Sequence, residues 1–223
     1  MRTLLTSLLA LVGAASPAQT PKNPGNLDPS TILYTTPTLS NDIAGLEPIS
    51  GQPKPGELIF HEDEWSQVEF LPKSQLGEVQ RLLKEYKTFE QANRATYGWR
   101  KVYVRRLQRF PVVSGEQPIP ALEKVLGAVA APGPILSSAG ATTGRVRNGF
   151  TVPLGGNVWL YGYQSAHGVP VLGAYVGEHP DDLRLTQAFI KLNSSTGAIL
   201  VDWRAQVVLL STTAAGQVEL WRP

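Results

Sequence analysis

The sequence predicts an α+β fold: a strand–helix–strand unit followed by a short helix and a mainly antiparallel β-sheet. Three observations carry that expectation. Leu76, Val79, Leu82, Leu83, Tyr86 and Phe89 fall at helical spacing, between two segments that alternate as strands do. A second periodic stretch, Leu122, Val125, Leu126 and Val129, follows Pro120 and stops at Pro132-Gly133-Pro134. From Asn148 onward, short runs rich in Val, Leu, Trp and Tyr are separated by Gly- and Asn-containing turns.

At the N-terminus, Arg2 precedes an apolar run from Leu4 to Ala15, and Ser16-Pro17-Ala18 supplies small residues at a cleavage site. Residues 1–18 therefore read as a secretory signal peptide, shorter than the about 20 apolar residues that cross a bilayer. A chain so exported reaches the periplasm, the envelope surface or the medium. Residues 19–58 carry seven prolines (21, 24, 29, 37, 48, 53 and 55), a density that denies helix interiors and central strands. They are expected to form an extended, partly disordered arm, with Thr31–Thr36 able to add one edge strand.

A strand–helix–strand subdomain is expected over 59–118. Trp65–Leu71 alternates up to Pro72, Ser74 offers an N-cap oxygen for a helix running to about Arg94, and Trp99–Leu107 alternates again. The remainder, 119–223, should hold a helix over 120–131 and a loop over Ser137–Gly144. Seven strands are then expected: 150–153, 158–164, 169–176, 185–192, 198–203, 206–211 and 218–221. Short turns between consecutive strands make that sheet antiparallel.

Composition limits the chemistry. With 20 basic and 18 acidic residues the net charge is +2, which brings no strong polyelectrolyte attraction to nucleic acid. The absence of Cys removes disulfides, thiolate catalysis and cysteine-ligated zinc. His61-Glu62-Asp63-Glu64 and His179-Pro180-Asp181-Asp182 each set an imidazole beside carboxylates, but neither has the second His of a His-Glu-x-x-His zinc pair. No Gly-x-Ser-x-Gly elbow exists; Ser165-Ala166-His167 lacks an orienting acid, and Gly140-Ala141-Thr142-Thr143-Gly144 lacks the Lys of a P-loop. No catalytic residue, metal ligand or cofactor is assigned on these grounds.

Candidate binding residues come from strand parity. If Val68, Phe70, Val102 and Val104 pack beneath the helix, the opposite face combines Trp65, Gln67, Glu69, Trp99, Lys101, Tyr103 and Arg105. Aromatic and charged groups mixed on one face suit contact with a partner. Trp65, Gln67, Glu69, Trp99, Tyr103 and Arg105 are thus the candidate binding surface. The plainer alternative has the Pro-rich arm or the second sheet covering this face, with Glu69 paired to Lys101 or Arg105. Arg94, Arg100, Lys101, Arg105, Arg106 and Arg109 form a basic run of 16 residues without an acid. Trp159, Tyr161 and Tyr163 share one face of a strand, which serves either core packing or stacking on sugar rings.

The segment from Tyr163 to Val176, with Gly168-Val169-Pro170-Val171-Leu172-Gly173-Ala174 at its centre, resembles the Gly-Val-Pro-Val-x-Gly-Ala hairpin of thermolysin-type propeptides. Phe189–Leu200 is similar to the strand–Thr-Gly–strand ending of PepSY modules, and the likeness spans about residues 120–203. It implies a noncatalytic module that binds or inhibits a protease or assists its folding. Together these readings predict an exported noncatalytic binding protein of the bacterial envelope, its partner another envelope protein. The alternatives are an envelope hydrolase using Glu69, Asp202 or His167, and a sugar-binding module.

Overall fold

The computed structural model describes residues 32–139, 141–213 and 216–223. The expected signal peptide and residues 19–31 of the arm lie outside them. Along Leu33–Pro223 the elements run β1 (Thr38–Ser40), β2 (Leu46–Glu47), β3 (Ile59–His61), β4 (Val68–Pro72), α1 (Leu76–Asn93), β5 (Arg94–Ala95), β6 (Gly98–Trp99), β7 (Tyr103–Arg105) and β8 (Val113–Ser114). There follow α2 (Pro118–Leu126), β9 (Ala131–Pro132), β10 (Ile135–Ser138), β11 (Ala141–Val146), β12 (Gly149–Gly155), β13 (Val158–Ser165), β14 (Gly168–Val176), α3 (Asp182–Thr196), β15 (Ala198–Asp202), β16 (Val207–Thr212) and β17 (Val218–Trp221). The fold is α+β.

The large sheet has the order β17-β16-β15-β4-β14-β13-β12-β9, all antiparallel, with β8 pairing to β14. Its central strand β4 comes from residues 59–118, whereas its neighbours β15 and β14 come from 119–223. The two ranges therefore share one sheet. Alternation sorts its faces. Phe70 lies beside Leu172 and Leu200, and these pack with Leu160, Phe150 and Val152 against Leu122 and Leu126 of α2 and Ala188, Phe189 and Leu192 of α3. On the other face, α1 sets Val79, Leu82, Leu83 and Tyr86 onto Leu71, Ile199, Val201 and Val208. Beside α1 on that face, a small sheet of order β2-β11-β10-β3 lays Phe60, Leu136 and Val146 against Tyr161 and Val171.

Several expectations change here. Phe70 packs on the face away from α1, and it is Leu71 that lies beneath that helix. The strand expected at Trp99–Leu107 does not join the large sheet, which the chain between α1 and α2 meets only at β8. That segment first forms a two-stranded β5–β6 hairpin, and β7 then pairs in parallel with β1 of the Pro-rich arm. In β7 the inward side chains are Tyr103, which stacks near Tyr86 and Phe89, and Arg105; Val104 faces solvent. Ser74 does not cap α1, which is entered through a 3-10 turn at Lys73–Gln75 with no side-chain cap bond.

Residues 185–192 are helical rather than a strand. Asp181 caps α3 through a bond from the Leu183 N–H, Ala188, Phe189 and Leu192 form its buried stripe, and Gly197 ends it at φ +69°. The stretch from Phe189 to Leu200 is therefore helix, glycine cap and strand. Gly127, at φ +72°, stops α2 at Leu126, so Val129 falls beyond the helix and is exposed. The expected loop at Ser137–Gly144 contributes to the β10–β11 hairpin, where glycine at 144 lets β2 approach closely.

Gly173 sits opposite Tyr161 across the β13–β14 pair, and a Cβ there would lie 2.5 Å from the Tyr161 ring. That ring is fixed: its oxygen accepts from the Ser66 N–H at 2.8 Å and donates to the Glu64 carbonyl at 3.3 Å. Gly173→Ala should destabilise the protein by about 1–3 kcal/mol through overpacking. Gly77→Ala, in open space on α1, should instead stabilise it by about 0.5–1 kcal/mol. Urea unfolding of both variants checks the two signs.

Candidate functional site

Between α1 and the small sheet, the large sheet carries a carboxylate where its neighbours carry apolar groups. Glu69 of β4, flanked in register by Val201 and Gly173, is 1% exposed. An ionised carboxylate in such a place needs a compensating charge and filled lone pairs. Both oxygens have partners: Trp203 Nε1 donates to one at 2.7 Å, and Arg109 Nη1 to the other at 2.5 Å. Arg109 also reaches the arm, with Nε and Nη2 donating to the two oxygens of Asp42. The network thus ties the large sheet, the segment after β7 and the loop after β1 together.

A second guanidinium closes the layer. Arg105, 2% exposed, lies over the Trp203 ring at 4.9 Å. It donates to Thr38 Oγ1 at 2.8 Å and to the Ser66 carbonyl at 2.8 Å. Gln67 Nε2 donates to the carbonyls of Thr38 and Asp63 at 2.8 and 2.6 Å. Burial lowers the Arg105 pKa to about 10, the field of Glu69 opposing the shift, so the group stays charged at neutral pH. Burial by itself raises the Asp42 pKa, but the hydrogen bond and charge of Arg109, helped by Ser40, hold it below the ordinary 3.8.

Trp65, Gln67, Glu69 and Arg105 are accordingly interior, and in this conformation they present no surface to a partner. The arm covers them, and Glu69 pairs with Arg109, a partner the sequence reading did not single out. Trp99 and Tyr103 are half-buried. Trp99 Nε1 is shielded and has no partner among the described residues. Asp42 and Arg109 were missed as well; the signal available was an acid in the arm facing a basic run that had none.

The other groups considered for chemistry have local roles. Asp202 Oδ1 accepts from the Ala205 N–H at 2.8 Å, and burial raises its pKa against the pull of that bond and of Arg204. His167 is exposed at the β13–β14 turn, its backbone N–H donating to Ser165 Oγ at 3.2 Å. No hydrogen bond among the described residues joins Glu69, Asp202 and His167. His61 Nδ1 accepts from the Asp63 N–H, Glu62 accepts from Ser138, and Glu64 forms a two-point pair with Arg204. Among the described residues no group of three His, Asp or Glu converges as metal ligands. Tyr161 is buried, and Trp159 and Tyr163 pack at the margin of the same cluster.

The most exposed large hydrophobic side chain among the described residues lies where α1 gives way to the β5–β6 hairpin. Tyr34 brackets Trp99 with two backbone bonds, at 2.8 and 3.0 Å, and Gly98 at φ +104° lets the Tyr34 carbonyl approach where a Cβ would clash at 2.4 Å. On this support Tyr97 is 84% exposed, with Tyr34 and Leu33 exposed beside it. Arg94, Arg100 and Lys101 are also exposed. Compared with family models, curated proteins and solved structures, the chain matches none.

Glu69→Gln leaves Arg105 and Arg109 with one carboxylate between them, and should cost about 3–5 kcal/mol of stability in urea unfolding. Asp42, its pKa depressed in the folded state, contributes stability that is complete above its unfolded pKa and is lost as pH falls through the lower folded value. In acid titrations below about pH 4, Asp42→Asn should therefore lose stability less steeply than the parent chain.

Proposed function

We propose that the chain is an exported, noncatalytic binding protein of the bacterial envelope that docks another protein through the β5–β6 hairpin face. The observation that carries this reading is Tyr97, an aromatic side chain held almost wholly in solvent on a hairpin whose outer edge pairs with Tyr34 of the arm. Exposed aromatic side chains on rigid supports lose little conformational freedom on binding and are the usual anchors of interfaces. The burial of Glu69 against Trp203 and Arg109, and the lack of any hydrogen bond joining Glu69, Asp202 and His167 among the described residues, support a binding role over the hydrolase alternative.

Trp99 and Tyr103 of the expected binding surface keep a place here as the half-buried base on which the exposed residues stand. Trp65, Gln67, Glu69 and Arg105 act through support, because they hold the arm that positions Tyr34. A protease-directed inhibitor or folding helper is the form of the reading that the propeptide-like hairpin implies.

A photo-crosslinking amino acid at Tyr97 of the full chain, expressed in its exporting cells, should yield a discrete adduct with one envelope protein. The same group at Val129, exposed beyond α2, should not. Absence of a discrete adduct at Tyr97, or equal adducts at both positions, overturns the proposal.

A further inference from the structure

Resting on the docking reading above, we infer that the partner presents an acidic polypeptide surface to this face. Residues 33–41 and 91–115, which build this end of the molecule with the last turns of α1, contain no Asp or Glu; in those turns Glu85 is paired with Arg81 and accepts from Tyr103, and Glu90 accepts from Gln206. Of the six cations in the run 94–109, Arg109 is committed to Glu69 and Asp42, and Arg105 is buried against Thr38 and Ser66. Arg94, Arg100, Lys101 and Arg106 take no part in any ion pair among the described residues.

The chain is nearly neutral overall, so this is a local asymmetry and not a reflection of net charge. Arg94 pairs with Trp99 across the hairpin, Arg100 bonds back to the Asn93 carbonyl at 2.8 Å, and Lys101 follows directly. Arg94, Arg100 and Lys101 thus lie within four residues of Tyr97 in the chain. Charges closer together than the Debye length of about 8–10 Å act as one field and steer an oppositely charged partner. Tyr and Arg are the composition of a protein-contact patch, and the exposed apolar groups of the same segments, Leu33, Val104 and Phe110, are spread along the chain from residue 33 to residue 110. A bilayer face would carry a wedge of Leu, Ile and Phe to enter the acyl layer.

The test uses the full chain and fluorescently labelled poly-L-glutamate, read by anisotropy, with phosphatidylglycerol vesicles as a second arm. Poly-L-glutamate should bind, and binding should weaken as salt rises. Replacing Arg94→Glu, Arg100→Glu and Lys101→Glu together should weaken it at least about tenfold. The control triple Lys73→Glu, Lys124→Glu and Arg222→Glu, with the same charge change on exposed cations elsewhere, should weaken it less than about threefold. The milder Arg94→Gln, Arg100→Gln and Lys101→Gln triple guards against misfolding and should give an intermediate loss.

Equal loss in the reversal and control triples, no binding of poly-L-glutamate, or tighter binding to the vesicles than to the polypeptide overturns the inference. If the Tyr97 adduct survives the charge-reversal triple, the acidic-partner inference falls while docking at the hairpin stands. If the parent chain gives no adduct at Tyr97, the docking reading itself falls.

Discussion

A carboxylate at the centre of a sheet governs this molecule. Glu69 occupies the middle of β4, the strand that joins the two halves of the chain, and it points into the face shared by α1 and the small sheet. Water is excluded there, and the cost of an unpaired charge would be several kcal/mol. Neither α1 nor the small sheet supplies a cation at that place. The compensation comes from the segment that follows the β5–β6 hairpin, in the form of Arg105 and Arg109. Their joint charge exceeds that of Glu69 by one, and Asp42 of the arm balances it.

That chain of requirements accounts for the topology. A strand at 99–107 placed beside β4 would have to displace β14 or β15. Instead the segment crosses above the sheet, where its guanidinium groups reach Glu69, and it satisfies its own backbone by pairing β7 with β1. The arm is held for the same reason. Thr38 bonds with Arg105, Gln67 and Tyr103, and Asp42 with Arg109. Proline in the arm keeps it from competing as a central strand, yet leaves it free to run extended across this seam.

The sequence made some of this legible and hid the rest for identifiable reasons. Helix α1 was legible because its apolar stripe and charged face are cleanly separated, with Arg81 placed to pair with Glu78 and Glu85. Strands β12, β13, β14 and β17 were legible from alternation bounded by turns. Residues 185–192 were misread because Phe189-Ile190 has strand propensity, while the helical spacing of Leu185, Ala188, Phe189 and Leu192 carries the information that wins once Asp181 and Gly197 cap the segment. In β7 the parity was legible but its direction was not. Hydrophobicity alone sends Val104 inward and Arg105 outward, and the reverse holds because a buried acid on another strand asks for a base. Pairing of that kind is set by three-dimensional proximity, so one strand read alone cannot show it.

Buried ion networks of this sort contribute little net stability compared with apolar groups of the same shape, but they penalise every arrangement that leaves one member alone. Here the penalty acts on the arm. With β1 out of place, Asp42 leaves Arg109, Thr38 leaves Arg105, and the charge balance over Glu69 is broken. Tyr34 lies four residues ahead of Thr38 and clamps Trp99 from the outer side of the hairpin. The position of the exposed Tyr97 is thereby coupled through a short stretch of backbone to a charge buried in the sheet. A polar core that looks costly as a source of stability makes sense as a device that fixes one register of the arm, and with it one geometry of the basic, aromatic face around Tyr97.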